Sequence, residues 1–147
     1  MTEPVFVDSN VLVYRRDASD PRKQARAETW VRRLWEERLG RLSTQVLQEF
    51  YVTVTRTLRP GLPADAAREE IRDLFAWKPV TPSSAIIEGA WTIESRHGLS
   101  FWDALIAAAA KASSCGYLLS EDLQDGLDLD GVRVINPFAH EPDEIGL

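Results

Sequence analysis

Residues 5 to 7, Val-Phe-Val, form a short, wholly apolar run after Pro4, and Asp8, Ser9 and Asn10 follow at once. A run that is apolar at every position predicts a strand buried on both faces of a parallel sheet, because a half-exposed strand alternates. Asp8 therefore stands where the first strand ends. In open α/β sheets the crevice outside the carboxyl ends of the strands is where ligands bind, which makes Asp8 a site candidate. Asp, Ser and Asn are also the residues that cap a following helix, so this stretch taken alone is equally compatible with a purely structural Asp8.

Beyond Asn10 the spacing turns helical. A short helix is expected over Val11 to Arg16. Ser19-Asp20-Pro21 reads as the start of a longer one, with Pro21 at its first position. That helix runs to about Leu39 with Ala27, Trp30, Val31, Leu34 and Trp35 as its apolar stripe. It also carries Arg22, Lys23, Arg26, Arg32, Arg33 and Arg38, a series that fits either a solvated face or an RNA-contacting one. Gly40 ends it, and residues 41 to 44 fit a second strand. Gln45 to Leu58 predicts a helix with Leu47, Phe50, Tyr51, Val54 and Leu58 on one face, and Glu49 on the edge of that stripe. After the Pro60–Pro63 loop come a helix from Ala64 to Trp77, a brief strand at 78 to 81, and a helix from Ser83 to His97 closed by Gly98. His97 reads as a solvated helix terminus.

Ser100-Phe-Trp-Asp103 opens a helix reaching about Ser114, whose four alanines from 107 to 110 permit close packing on a sheet. Ser100 and Asp103 have capping-box spacing, which is a structural explanation for the acid; the same helix N-terminus also favours its ionised form. Tyr117-Leu-Leu119 predicts the fourth strand. Ser120, Glu121 and Asp122 then occupy its carboxyl end, the topological position that Asp8 holds on the first. Asp125, Asp128 and Asp130 continue an acidic loop, Val132 to Ile135 forms a last strand, and the tail from Asn136 is expected to be irregular.

The 147 residues suit one domain, with a core over about 4 to 138 and a tail over 139 to 147. No run approaches the roughly 20 apolar residues of a membrane helix. The opening Met-Thr-Glu-Pro lacks the pattern of a signal peptide, and Cys115 is the only cysteine, so a reducing cytoplasm is the expected home. The net charge of −6 is uneven: residues 1 to 60 hold 11 Lys and Arg against 8 Asp and Glu, a net +3, and the rest hold 6 against 15, a net −9. Such a balance excludes a broad basic nucleic-acid surface but leaves room for a basic patch beside an acidic pocket. One Cys and two scattered His give no support to zinc-ligand spacing or to Ser/Cys–His catalysis. The loop after Asp122 fails the calcium-loop pattern, because its glycine comes four residues on and no closing Glu follows at the required distance.

Strands alternating with helices predict an α/β fold, a three-layer α/β/α sandwich around a central parallel sheet. Such a fold brings Asp8, Glu49, Asp103 and Asp122 toward one crevice. Two carboxylates about 4 Å apart repel by roughly 4 kcal/mol at an effective dielectric near 20, so the cluster must take up protons or cations. Oxygen donors without His or Cys favour Mg²⁺ or Mn²⁺, ions that can activate water and stabilise a leaving oxygen in phosphodiester hydrolysis.

Val-Asp8-Ser-Asn10 at the end of a strand, Gln-Glu49-Phe-Tyr in a helix, Phe-Trp-Asp103-Ala-Leu-Ile at a helix start and Leu-Leu-Ser120-Glu-Asp122 after a strand together resemble the PIN domain, and most closely its VapC-like toxins. The resemblance spans Val5 to about Phe138. It implies that Asp8, Glu49, Asp103 and Asp122 are the catalytic, metal-holding acids, with Asn10 and Ser120 as polar helpers and Asp125 as an auxiliary acid. It further implies an Mg²⁺- or Mn²⁺-dependent ribonuclease of a toxin–antitoxin pair that forms homodimers and is silenced by a cognate antitoxin. RNA phosphates would then fall to the arginine-rich segment, with Arg15, Arg16, Lys23, Arg22 and Arg26 as contact candidates. A haloacid-dehalogenase-type phosphatase also opens with a strand and an Asp, but needs a second Asp where Asn10 stands, and a receiver domain would not spread its acids in this way. A catalytically silent PIN module for RNA or protein binding is the alternative; degenerate relatives usually lack one or more of the four acids, and all four are here.

Overall fold

The Val5–Val7 run lies inside the sheet, paired on both sides. The computed structural model describes residues 2–147, and the side chains of all three residues in this strand, β1, are fully buried. In chain order the elements are β1 (Val5–Val7), α1 (Ser9–Tyr14), α2 (Pro21–Glu37), β2 (Gly40–Arg41), α3 (Thr44–Val52), α4 (Ala64–Leu74), α5 (Ser84–His97), α6 (Phe101–Ala112), β3 (Tyr117–Leu119), β4 (Asp128–Leu129) and β5 (Val132–Ile135). The sheet order is β2-β1-β3-β5-β4. β2, β1, β3 and β5 are mutually parallel, with Val5 opposite both Gly40 and Tyr117, and Val7 opposite Leu119.

From β1 the chain moves to β2 on one side, then returns across the sheet to β3 on the other. Right-handed crossovers in opposite directions place the α1–α2 connection on one face and α6, the last helix before β3, on the other, which makes three layers, while α3 packs back against α1 and α4. The reversal falls between β1 and β3, so the crevice for a ligand opens between their carboxyl ends. α6 packs on β3, β5 and α5 through Ala107 to Ala110, all buried, as its small side chains require. Among the described residues no helix is long and apolar enough to cross a membrane.

Six expectations are corrected. The strand expected at 78 to 81 is reduced to a single bridge between Val80 and Ser43, and β2 is Gly40–Arg41 rather than 41 to 44. The helix expected from Gln45 to Leu58 is α-helical only to Val52 and continues as a π-helical turn over Thr53–Thr57. The tail contains a 3₁₀ turn, Pro142–Ile145. The sheet is mixed rather than wholly parallel, because β4 pairs antiparallel with β5. Asp130 and Gly131, both at positive φ, form the two-residue turn between them, the conformation a tight hairpin needs and an Asp-Gly pair accommodates. This hairpin also corrects His97. Its turn carries Asp130 to the end of α5, where the carboxylate meets Arg96 Nη1 at 2.8 Å and His97 Nε2 at 3.1 Å, so the imidazole is partnered rather than solvated.

Candidate active site

Asp8 emerges from β1 at the reversal point. Its backbone N–H donates to Leu119 O at 3.0 Å, extending the β1–β3 ladder by one residue and setting Asp8 beside the start of the loop after β3. The carboxylate also caps α1. Oδ1 accepts the Ser9 N–H at 2.8 Å, and Oδ2 accepts the Ser120 hydroxyl at 2.8 Å and the Asn10 amide at 3.4 Å. The cap and the site therefore coexist in one side chain. At 6% exposure the charge is disfavoured, and burial pushes the Asp8 pKa up to about 6; the Ser120 and Ser9 hydrogen bonds oppose the shift, and Asp122 and Asp103 reinforce it.

Asn10 ties the two strand ends together. Its Nδ2 lies 3.2 Å from Ser120 Oγ and 3.2 Å from Asp122 Oδ2, and its Oδ1 accepts the Glu121 N–H at 3.2 Å. Ser120, fully buried, also accepts the Asp122 N–H at 3.2 Å. Thus Asp8 and Asp122 hang on one amide and one hydroxyl, contributed by the residues that follow β1 and β3.

The two remaining acids come from helices. The Asp103 N–H is capped by Ser100 Oγ at 3.2 Å, but among the described residues no return bond joins the Asp103 carboxylate to the Ser100 N–H. Only half of the expected capping box forms, which leaves that carboxylate uncommitted. Glu49 sits on α3, one turn before the π-helical turn. Although the residue is exposed, partial burial pushes its carboxyl up to about 7, and Asp8, Asp103 and Asp122 all add to the effect. All four acids therefore share one field.

None of Asp8, Glu49, Asp103 or Asp122 has a Lys, Arg or His partner among the described residues. Nor do three acid, His or Cys side chains there close into a ligand cage. Uncompensated carboxylates hold one another apart, and the Asn10 amide stands between Asp8 and Asp122. The donor set itself, hard oxygens without nitrogen or sulfur, fits Mg²⁺ or Mn²⁺.

The other sequence candidates go elsewhere. Asp125 turns to the tail, accepting the Asn136 N–H at 2.8 Å and meeting His140 Nε2 at 2.6 Å. Arg15 bonds Glu28 at 2.9 Å and Glu70 at 2.8 Å, and Arg16 bonds Glu70 at 2.8 Å. Arg26 bonds Glu141 at 2.8 Å. Lys23 pairs with Glu121 and lies over the rings of Tyr14 and Phe138, 4.8 and 5.1 Å from their centroids. Of the five basic candidates, Arg22 alone has no ion-pair partner among the described residues. The Tyr14–Phe138–Glu121 surround of Lys23 was not foreseen; Glu121, standing between Ser120 and Asp122, was the one signal for it in the sequence.

A family model for the PIN domain matches residues 5–124. The chain belongs to the PIN domain family. Solved PIN structures agree in fold. A toxin–antitoxin complex from Klebsiella pneumoniae superposes with a TM-score of 0.66 at 18% identity, covering 93% of this chain and 98% of that one. VapC20 of Mycobacterium tuberculosis, a sarcin–ricin loop cleaving toxin, gives 0.61 at 26% identity over 80% of this chain and 91% of its own. FitAcB from Neisseria gonorrhoeae gives 0.61 at 20% identity, covering 91% and 98%. No curated protein sequence matches the chain.

Proposed function

We propose that this PIN domain is a metal-dependent endoribonuclease, the toxin of a toxin–antitoxin pair. The observation that carries the proposal is the group of four carboxylates without cationic partners around the β1/β3 crevice. The structural similarity to a sarcin–ricin loop cleaving toxin at 26% identity supports RNA as the substrate. The similarity to a toxin–antitoxin complex supports an antitoxin partner.

Asp8, Asp103 and Asp122 would hold Mg²⁺ or Mn²⁺, with Glu49 at the rim; when bound, the ion supplies charge neutralisation of the scissile phosphate and acidification of water. Asn10 and Ser120 fix the carboxylates of Asp8 and Asp122 through the hydrogen bonds above, so that little reorganisation is needed when substrate arrives. Glu49, whose carboxyl has a proton affinity near neutrality, is suited to accept the proton of the attacking water at its Oε atoms. Hydrolysis then forms one P–O bond from water, breaks one P–O ester bond and returns a proton to the leaving oxygen. Arg22 is the candidate phosphate contact left uncommitted. A homodimer, which the family resemblance implies, is part of the same proposal and is read from the mass in solution.

The test is digestion of total cellular RNA by antitoxin-free protein with Mn²⁺ or Mg²⁺, against the same reaction in EDTA. Discrete products that require the metal are expected. Intact RNA under every metal, from folded protein, moves the assignment to a silent binding module.

A further inference from the structure

A second cavity opens at the other end of the sheet. Trp35, Arg38, Arg41, Ala76, Trp77 and Lys78 line a space of about 410 Å³, a size typical of small-ligand sites. It lies beside the start of β2, where Gly40 pairs with Val5, whereas the acidic crevice follows Val7. Trp77 is buried and Trp35 is 45% exposed; their ring centroids are 6.0 Å apart and the planes are inclined by 39°. Gly40 makes room for this wall, since a Cβ there would come within 2.4 Å of the Trp77 ring.

Three cations surround the indoles: Arg38, Arg41 and Lys78. None has an ion-pair partner among the described residues, whereas Arg15, Arg16, Lys23 and Arg26 on the α2 flank all do. Arg41 Nη1 is held in place by the backbone oxygens of Gly40 at 2.8 Å and Arg38 at 3.2 Å. Arg38 ends α2 and Lys78 ends the 3₁₀ turn Phe75–Trp77, both in the left-handed region at φ 58° and 56°. Glycine is the unstrained residue for such positions, and the chain uses it at the end of α5, at Gly98. At the two helix ends flanking this cavity, long cationic side chains stand instead, at a cost to the backbone.

We propose that this cavity is a nucleotide-binding subsite, which takes an aromatic base against Trp35 and the attached phosphate on Arg38, Arg41 and Lys78. Stacking on an indole tolerates any base, and guanidinium and ammonium groups supply the donors a phosphate needs. An anion without a ring would leave the exposed Trp35 face unused. The nucleotide comes either from a single-stranded RNA or from a free mononucleotide. The RNA source rests on the nuclease proposed above; the subsite itself does not.

Binding is measured with Asp8→Asn protein in EDTA, so that no cleavage intervenes, by calorimetry and tryptophan fluorescence. The probes are AMP, a short oligoadenylate and inorganic phosphate. Arg38→Gly/Lys78→Gly is expected to fold at least as stably as its parent, because glycine relieves both left-handed positions, yet to bind at least about tenfold more weakly. Trp35→Ala is expected to lose a similar factor and Trp35→Phe to retain most of the binding, since stacking survives in the latter. If AMP binds with this residue dependence, a free nucleotide suffices; if only the oligoadenylate does, the subsite belongs to an RNA path. Affinities unchanged in the double-glycine and Trp35→Ala variants, no binding of either nucleotide probe, or competition by inorganic phosphate as strong as by AMP would overturn the assignment. None of these outcomes depends on whether wild-type protein cleaves RNA.

Discussion

The α1–α2–α4 flank and the strand-end crevice treat charge in opposite ways. On the flank, Arg15 and Arg16 converge on Glu70, Arg15 also reaches Glu28, and Arg32 reaches Glu28 at 3.5 Å. Cation and carboxylate neutralise each other, and the Glu28 carboxyl is held below its usual range despite partial burial, because Arg15 bonds it and Arg32 and Arg16 lie near. At the strand ends Asp8 has only a hydroxyl, an amide and a backbone N–H for partners, and its proton affinity rises instead. The first arrangement is complete without a ligand. The second is left short of positive charge, which is what a cation-dependent site requires and what a merely structural cluster would avoid.

The largest expected effect on stability comes from relieving that shortage. Folded Asp8 titrates near 6 against an ordinary 3.8. Between those values the folded state keeps a proton that the unfolded chain has lost, so stability falls as pH rises through the window and the penalty is complete above it. Asp8→Asn keeps the α1 cap and removes the charge. It is therefore expected to stabilise the metal-free protein by up to about 3 kcal/mol at pH 8, with the gain vanishing below about pH 4. Urea titrations at the two pH values check this, and a destabilised variant at pH 8 would break the comparison.

On the flank the sign reverses. Glu70→Gln leaves Arg16 without its carboxylate and Arg15 with only Glu28, and is expected to cost about 2 kcal/mol in the same titration. The control is the exposed pair Arg72–Glu69, 3.2 Å apart with both side chains more than 60% exposed. Arg72→Ala is expected to stay within about 0.5 kcal/mol of the wild type. Comparable costs for Glu70→Gln and Arg72→Ala would remove the distinction between a built ion-pair network and ordinary surface charge.

Much of the crevice was legible in the sequence because its residues sit next to strong signals. Asp8 follows an uninterrupted apolar strand, Asp122 comes three residues after another, and Asp103 opens an alanine-rich helix. Glu49 was harder to place, since an acid on the edge of an amphipathic stripe has no local mark of function; only the field of the three aspartates singles it out. What could not be read was long-range pairing. Arg15, Arg16 and Arg26 read as parts of one arginine-rich segment, but Glu70 lies on a helix more than fifty residues from Arg15 and Arg16 and Glu141 lies in the tail, and no local pattern announces such partners. The β4–β5 hairpin was a different failure. Asp130-Gly131 is a strong turn signal, hidden here inside an acidic loop that invited reading as a metal site. The 78-to-81 strand failed because one bridge to Ser43 is all that the sheet edge offers it.

The most direct test of the account is the initial rate of RNA cleavage in Mn²⁺ by wild type, Asp8→Asn and Asp122→Asn, with folding of each verified by circular dichroism. Metal-dependent cleavage by wild type that drops by about a thousandfold or more in both variants is the predicted result, in keeping with the loss of a group that organises transition-state charge. Folded Asp8→Asn protein cutting RNA at the wild-type rate would contradict the account outright, because the crevice between β1 and β3 would then not be where the chemistry happens.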